Sequence, residues 1–409
     1  MRVLIAGAGI GGLALALSLH ERGIGCTVFE AAREVRALGV GINALPHAVA
    51  ELAALGLLPA LDAVAIRTRT LTYANRFGQE ILSELRGMHA GHPVPQFSIH
   101  RGHLQAVLLR AVRERLGEGA VLTDHRLERA SQDAEGVTAR FATAAGPVEA
   151  RGDILVGADG IHSALRAALH PEDGGIRWTG IILWRGATEW PVWRSGDSMM
   201  VAGDMNEKLV LYPIAPGTTP ETRLTNWALG IRQAEGAPPP PREDWSRRGR
   251  HEDALRGLVR FQVPDLDVAA LVSATEEIFV YPMADRDPLP WWTRGRLTLL
   301  GDAAHPMYPT GSNGAAQAIL DARCLARCLE ALPAPQALER YEAERRTRTT
   351  EIVLSNRRGG PERVLDIVSA RAPEGFTRIE AVISAAELAE IGLRYAAAAG
   401  FALGGQAAR

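Results

Sequence analysis

Short apolar runs, glycine-rich turns and a helical pattern follow one another at the start of the chain. Residues 2–6 form a β-branched apolar run that leads directly into glycines, as a buried parallel strand does. Residues 13–22 are rich in helix formers, and Gly23 stands where a C-terminal cap belongs. Residues 26–29 form a second strand-like run that ends at Glu30. This order predicts a βαβ unit within a parallel sheet.

The glycines of this unit have the spacing of a dinucleotide-binding fingerprint. Gly7 permits a tight turn, Gly9 lets the backbone approach a pyrophosphate, and Gly12 lets the helix pack closely on the sheet. Glu30, about 20 residues further on, is placed to hydrogen-bond an adenosine ribose. Because its carboxylate repels a 2′-phosphate, the adenosine is expected to belong to FAD or NAD rather than NADP. A glycine-rich turn without a ligand is the alternative.

Two later strand-to-glycine junctions bring acidic side chains to the same kind of position. Residues 154–156 run into Asp159, which is followed by a glycine, and residues 296–300 run into Gly301 and Asp302. A carboxylate at the carboxyl end of a parallel strand can accept hydrogen bonds from polyol hydroxyls. For Asp159 a second interpretation is open, because an aspartate here can also cap the helix that follows.

Two helix starts add candidate contacts for anionic groups. Arg101 opens a helix predicted to run to about residue 116, and Gln105 lies one turn further along. An arginine at a helix N-terminus suits a diphosphate, and a solvent-facing helix charge is the alternative. A second helix is predicted from Ala315, directly after Gly314. Its N-terminal amides offer the positive end of a dipole to a developing anion.

The pattern changes between residues 178 and 274, where short apolar runs are joined by turn-rich segments. These runs predict successive strands at 181–189, 199–202, 209–214 and 224–229. Such strands favour an antiparallel sheet that forms a second domain. The tail is less regular, but apolar positions at helical spacing after residue 379 predict one or two amphipathic helices.

Composition excludes several classes of function. The chain has 409 residues and a formal net charge of −2, which favours neither nucleic acid nor an anionic membrane as a partner. No apolar run reaches the roughly 18 residues of a membrane span. The three cysteines show no recognisable zinc pattern, so no metal site is predicted. A cytoplasmic protein is expected.

The combination of these motifs resembles a known family. The ordered set of Gly7, Gly9 and Gly12 with Glu30, then Asp159 and finally Gly301 with Asp302, is similar to the single-component flavin-dependent aromatic hydroxylases, the p-hydroxybenzoate hydroxylase family. The similarity covers roughly residues 1 to 357. Further segments resemble the phenazine-carboxylate monooxygenase subfamily. These segments are residues 41–43, 95–102, 184–186, 281–290 and 307–309.

The resemblance implies an α/β fold with a Rossmann-type, glutathione-reductase-like FAD-binding domain, an inserted antiparallel-sheet substrate domain and a helical C-terminus. The expected boundaries are 1–70, 98–176 and 275–357 for the FAD-binding domain, 71–97 and 177–274 for the substrate domain, and 358–409 for the C-terminal segment. The residues expected to hold FAD are Gly7, Gly9, Gly12, Glu30, Gly41, Arg101, Gln105, Asp159, Gly301, Asp302, Gly314 and Ala315.

The resemblance also implies the chemistry. FAD would be reduced by NADH or NADPH, react with molecular oxygen to a flavin hydroperoxide, and transfer one oxygen atom to an aromatic ring. The small aromatic or heteroaromatic substrate is expected to be phenazine-like. Because the flavin carries the reaction, no catalytic side chain is assigned. The candidate pocket residues are Trp184, Tyr212, Trp227, Tyr281, Met283 and Pro309.

Two further pocket candidates have alternative interpretations. Arg185 could pair with a substrate carboxylate or be an outward-facing strand charge, and His305 could relay a proton or be structural. Two other functions stay open, a flavin oxidase or dehydrogenase on the same fold and a non-catalytic flavin-fold binding protein. The chain is expected to be a monomer or a homodimer.

Overall fold

A computed structural model describes residues 1–35, 40–237 and 247–400 of the chain. The strands are β1 (Arg2–Ala6), β2 (Gly25–Phe29), β3 (Gly41–Ala44), β4 (Ala65–Arg67), β5 (Thr70–Ala74), β6 (Glu80–Leu85), β7 (Phe97–His100), β8 (Val121–Leu122), β9 (Arg126–Gln132), β10 (Val137–Ala142), β11 (Val148–Gly152), β12 (Ile154–Gly157), β13 (Ile176–Pro191), β14 (Ser198–Gly203), β15 (Glu207–Pro216), β16 (Thr222–Arg232), β17 (Phe279–Arg286) and β18 (Leu297–Leu299).

Helices cover the sheets and form the end of the described chain. They are α1 (Ile10–Glu21), α2 (Pro46–Ala54), α3 (Leu58–Asp62), α4 (Arg101–Leu116), α5 (Ala164–Leu169), α6 (His251–Leu258), α7 (Val268–Ser273), α8 (Gly314–Ala331), α9 (Ala334–Arg357), α10 (Arg363–Arg371) and α11 (Ala385–Ala399). None of the helices in these described ranges combines the length and hydropathy needed to cross a bilayer.

A five-stranded parallel sheet forms the first layer, in the order β18-β12-β1-β2-β8. Its central strand β1 is fully buried at Val3, Leu4 and Ile5, because helices and a further sheet cover it. Helix α1 packs against α4 and α8. The predicted βαβ unit is therefore confirmed, and with it the Rossmann-type part of the fold.

Two small antiparallel sheets accompany this layer. One has the order β11-β10-β9 and the other β3-β7-β4. The second matters for the site, because β3 begins at Gly41 and lies next to the large sheet. The Gly41 amide donates to Asn226 Oδ1 of β16 over 2.8 Å.

The large sheet has seven strands in the order β17-β13-β16-β15-β14-β5-β6. All neighbours are antiparallel except β14 and β5, which run parallel. The predicted antiparallel sheet is thus confirmed with one parallel pair. Strand β17 joins it although the predicted boundary at residue 275 would assign this strand to the FAD-binding segments. Strand β17 pairs with β13, which extends the sheet at that edge.

The two faces of the large sheet pack against different partners. One face meets α6 and α7 in a core that contains Trp227, Leu229 and Leu271. Part of the other face meets the C-terminal segment, where Val364 and Leu365 of α10 join Tyr212 of β15. Ile383 and Leu388 of the predicted helical region belong to the same core, so the tail packs against the large sheet, while residues 401–409 lie outside the described residues.

Candidate active site

A cavity of about 370 Å³ lies between the carboxyl ends of the parallel strands and the large sheet. Gly9 and Asp302 line it on the side of the parallel sheet, and Tyr212 and Met283 line it on the side of the large sheet. This volume is in the range of small-molecule binding sites. The cavity therefore joins the two halves of the protein in one continuous space.

The fingerprint glycines divide into two kinds. A Cβ added to Gly7, whose φ is +110°, would lie 2.3 Å from the Ala158 carbonyl oxygen, and one added to Gly12 would lie 2.0 Å from the Gly7 oxygen. A Cβ on Gly9 would meet no atom within 4 Å, and Gly9 lines the cavity. Gly7 and Gly12 are thus required because other backbone atoms pack closely against them, whereas the space beside the Gly9 backbone is open to a ligand. Such a cradle fits a diphosphate at the start of α1.

Glu30 and Gln105 hold the loop between β1 and α1 from two sides. Glu30 Oε2 accepts the Ala8 amide over 2.8 Å, and Gln105 Nε2 donates to the Ala8 oxygen over 2.8 Å. The other Glu30 oxygen accepts the Ala32 amide over 2.8 Å. Both side chains therefore fix the backbone conformation next to Gly9. The role of Glu30 on a ribose stays a prediction.

Arg101 and Asp302 bring opposite charges to the cavity wall. Arg101 is the first residue of α4, Asp302 follows β18, and both side chains are exposed to the cavity. Desolvation by the surrounding protein raises the pKa of Asp302, and His305 and then Arg101 oppose this shift. The pair fits a ligand that has an anionic group near Arg101 and hydroxyl groups near Asp302.

Arg166, which the sequence analysis missed, holds the loop that carries Asp302. This fully buried side chain of α5 donates to the carbonyl oxygens of Ala304 over 3.0 Å and of Asp287 over 2.9 Å. Its charge is balanced by Asp173 at 2.5 Å. An arginine in a short amphipathic helix gives no sequence signal for such long-range contacts.

Asp159 supports the start of a helix, in line with the second interpretation of this residue, although the N-cap residue itself is Ser163. Its Oδ2 accepts the Ala164 amide at the start of α5 over 2.8 Å, and burial raises the pKa of its carboxyl. The neighbouring Gly160 lines the cavity. A contact between Asp159 and the cofactor stays a prediction.

The N-terminus of α8 faces the cavity through Gly314 and Ala315. The preceding loop is held from the C-terminal segment, since the Gly311 amide donates to Glu362 Oε1 over 3.0 Å. Asn313 Nδ2 donates to Tyr395 Oη of α11 over 2.8 Å. The first amides of the 18-residue α8 are thereby fixed where an anionic edge of a ligand could be stabilised.

The cavity face of the large sheet carries four of the predicted pocket residues. Arg185, Tyr212, Tyr281 and Met283 all line the cavity, and burial raises the pKa of Tyr212 to about 12. Pro309 lines it from the loop before α8. The structure therefore brings these five side chains around one space.

The prediction for Trp184 and Trp227 is corrected by the structure. Both side chains lie on the opposite face of the sheet and pack in the core with α6 and α7. Trp227 is fully buried, and its Nε1 donates to Thr275 Oγ1 over 2.8 Å. Because side chains alternate along a strand, Trp184 must point away from the cavity when Arg185 points toward it.

Arg185 lies on the cavity wall and also holds β3. Its guanidinium donates to the Gly41 carbonyl oxygen, while the Gly41 amide is held by Asn226. A Cβ on Gly41 would lie 2.6 Å from Ile214 and 2.8 Å from Tyr212, so only glycine fits there. Residues of the large sheet therefore hold both the amide and the carbonyl group of Gly41. The sequence alone does not reveal these contacts, because the partners are 144 and 185 residues away.

His305 lies behind the cavity wall, so its prediction as a pocket residue is corrected. It is 3% exposed, and its Nε2 lies 2.5 Å from Asp321 Oδ2. Arg345 Nε donates to the other Asp321 oxygen over 2.6 Å. Burial alone would raise the pKa of Asp321, but His305 and Arg345 outweigh it and hold that pKa at about 2. The structural interpretation of His305 is the one this geometry supports.

Cys324 and Cys328 lie one turn apart on α8, near Glu344 of α9. Their potential ligand atoms lie within 4.8 Å of one another. The Glu344 carboxylate already pairs with Arg327 over 2.5 Å and with Arg340 over 2.6 Å. These two cations compete with any metal ion for the single carboxylate.

Comparisons with known proteins agree with this geometry. Residues 1–355 match a family model described as an FAD binding domain. The phenazine 1,6-dicarboxylic acid hydroxylase of Lysobacter antibioticus is 44% identical over 391 residues, which cover 93% of this chain and 95% of that protein. The chain belongs to the FAD-dependent aromatic hydroxylases. The resemblance inferred from the motifs is confirmed, and so is FAD as the cofactor.

Other members of this family differ in the compound that they act on. A 3-amino-4-hydroxybenzoate 2-monooxygenase of Streptomyces platensis is 36% identical over 370 residues, 88% of each protein. Klebsiella pneumoniae HpxO, solved with FAD and uric acid, is 25% identical with a TM-score of 0.72 and covers 98% of this chain and 95% of that one. The shared fold thus serves several aromatic substrates.

We expect Gly9→Ala and Gly12→Ala to separate cofactor binding from folding. Gly9→Ala should leave the unfolding free energy of the apoprotein unchanged, because its methyl group meets no protein atom. It should weaken FAD binding by about 10-fold or more, since a forced contact costs about 1–3 kcal/mol. Gly12→Ala should lower the apoprotein stability by a similar free energy.

Urea unfolding of the two apoproteins and FAD titration by fluorescence quenching measure the two effects. Full FAD affinity in Gly9→Ala would show that the cofactor does not approach this glycine.

Proposed function

We propose that this enzyme uses NADH or NADPH to hydroxylate a phenazine-like or other heteroaromatic acid. Per turnover, one oxygen atom of O₂ enters the ring, the other leaves as water, and the nicotinamide supplies the two electrons. The proposal rests on one observation above all. Arg185 stands on an otherwise mainly apolar face of the large sheet and reaches into the cavity next to Gly41.

The bound flavin supplies the redox chemistry, and the protein supplies position, charge and exclusion of water. Gly9 and Arg101 are proposed to receive the pyrophosphate, Glu30 the adenosine ribose, and Asp302 the ribityl chain. The flavin ring would lie between Gly41 and the N-terminal amides of α8. There the helix dipole would stabilise negative charge on the ring.

The substrate is proposed to lie between this ring and the large sheet. Met283 and Phe279 provide apolar contacts there, while Tyr212 and Tyr281 flank Arg185. A half-buried guanidinium on this mainly apolar wall favours an anionic partner, and a carboxylate on the aromatic ring is one with matching geometry. The similarity to a phenazine 1,6-dicarboxylic acid hydroxylase supports this class of substrate.

We expect FAD-loaded protein to consume NADH or NADPH faster when a suitable aromatic acid is present. A panel of phenazine, quinoline and benzoate acids should contain a compound that gives a product with one ¹⁸O atom from ¹⁸O₂. Spectrophotometry of the nicotinamide and mass spectrometry of the product measure this. Faster consumption that yields only hydrogen peroxide for every compound would contradict hydroxylation, and flavin reduction by the compound alone would indicate an oxidase or dehydrogenase.

We expect Arg185→Met to abolish the preference for an acid over its neutral amide. A charged hydrogen bond is worth about 1.5–3 kcal/mol, so KM for the acid should rise about 10- to 100-fold. The amide serves as the internal control, because it reports any displacement of Gly41 that affects both compounds equally. Arg185→Lys should retain part of the preference. An unchanged ratio of the two KM values in Arg185→Met would show that Arg185 only supports β3.

A further inference from the structure

A second cation lies on the cavity face of the large sheet. Lys208 of β15 and Glu362, in the short 3-10 turn Gly360–Glu362, both line the cavity and form an ion pair. Each of the two side chains is 10% exposed. Placing a lysine on a central strand that faces an apolar cavity costs desolvation free energy, and Glu362 offsets that cost.

The contacts of this pair leave donor capacity on Lys208. A lysine ammonium has three N–H groups. Among the described residues, Lys208 Nζ donates to Glu362 and makes a weak contact of 3.7 Å with Met205 Sδ. Glu362 uses its other oxygen on the Gly311 amide. Each carboxylate oxygen therefore has a partner, and the ammonium still has a hydrogen to offer to the cavity.

The sheet register places Lys208 at a defined separation from Arg185. Arg185 pairs with Ala228 of β16, and Lys208 pairs with Gly230 of the same strand. The two cations are thus two strands and two residues apart, or about 12 Å between their Cα atoms.

The strand between the two cations carries only small residues on the cavity wall, and the Leu183 side chain of β13 lies next to its Gly230. Ala228 and Gly230 are the β16 residues on this part of the cavity wall, and neither has a long side chain. A flat, planar ring system can therefore lie across β16, with one end near Arg185 and the other near Lys208. Two cations with Cα atoms about 12 Å apart match acidic groups at opposite ends of a fused ring system.

We propose that Lys208 is a specificity-determining residue that binds a second acidic substituent of the aromatic substrate. This inference rests on the proposed function, because it assumes that the ring lies on this face of the sheet. Glu362 acts as a positioning residue that holds the ammonium in place and links it to the loop before α8 through Gly311. A diacid would then bind at both cations, whereas a monoacid uses Arg185 alone.

The test compares Glu362→Gln with the double variant Lys208→Met/Glu362→Gln. Both lack the Glu362 charge, so the double variant leaves no buried carboxylate without a partner, and the comparison isolates the ammonium. The probes are phenazine-1,6-dicarboxylate and phenazine-1-carboxylate. Their Kd values for the FAD-loaded proteins, without nicotinamide, are measured by the change in flavin absorbance.

The ratio of the Kd for the diacid to the Kd for the monoacid should be about 10-fold or more higher in the double variant than in Glu362→Gln. The same ratio in both proteins, within about two-fold, would overturn the role of Lys208. Lys208→Gln provides an independent check if the double variant loses FAD. The glutamine amide at this position can still donate to Glu362, but it carries no charge. This variant should lose the preference for the diacid as well.

Oxygenation by the wild-type enzyme distinguishes failure of the proposed function from failure of the proposed role of Lys208. If it hydroxylates either acid while the Lys208 variants keep their selectivity, only the role of Lys208 fails. If it binds both acids and hydroxylates no aromatic compound, the proposed function fails while the binding comparison still decides the role of Lys208. A wild-type enzyme that binds neither acid would overturn the role of Lys208, whereas the proposed function would still be decided by oxygenation across the whole panel of aromatic acids.

Discussion

Side chains alternate between the two faces of the large sheet, and this alternation decides which residues can meet a substrate. Trp184 and Trp227 complete the core with α6 and α7, so their neighbours in sequence must face the cavity. Arg185, beside Trp184, and Ala228, beside Trp227, do so. The apolar core on one face of the sheet therefore determines which side chains face the cavity on the other. A shift of one residue in register would exchange the two faces completely.

The cofactor side depends on backbone positions that distant segments hold. Arg166 fixes the loop with Asp302, and Asn226 with Arg185 fixes Gly41. The loop before α8 is tied to the tail, where Tyr395 accepts from Asn313. These contacts join the parallel sheet, the large sheet and the C-terminal helices around one cavity. The tail thus contributes to the geometry of the site as well as to packing.

The sequence predicts the parallel sheet and its glycine turns well, because close backbone approach leaves few residues that fit, as Gly12 shows. It predicts the strands of the large sheet but not the direction of their side chains, since Trp184 and its neighbour Arg185 are both plausible in a pocket. Asp159 has the same ambiguity between cap and ligand. Contacts such as that of Arg166 depend on residues far apart in sequence, which no local pattern reveals.

The most direct test of the account is a crystal structure of the enzyme with FAD and an aromatic acid that it hydroxylates. The account predicts the flavin ring between Gly41 and the first turn of α8. It predicts the substrate ring flat against Ala228 and Gly230, with a carboxylate within hydrogen-bond distance of Arg185. A substrate bound away from this face of the sheet, or a carboxylate that does not contact Arg185, would contradict the account.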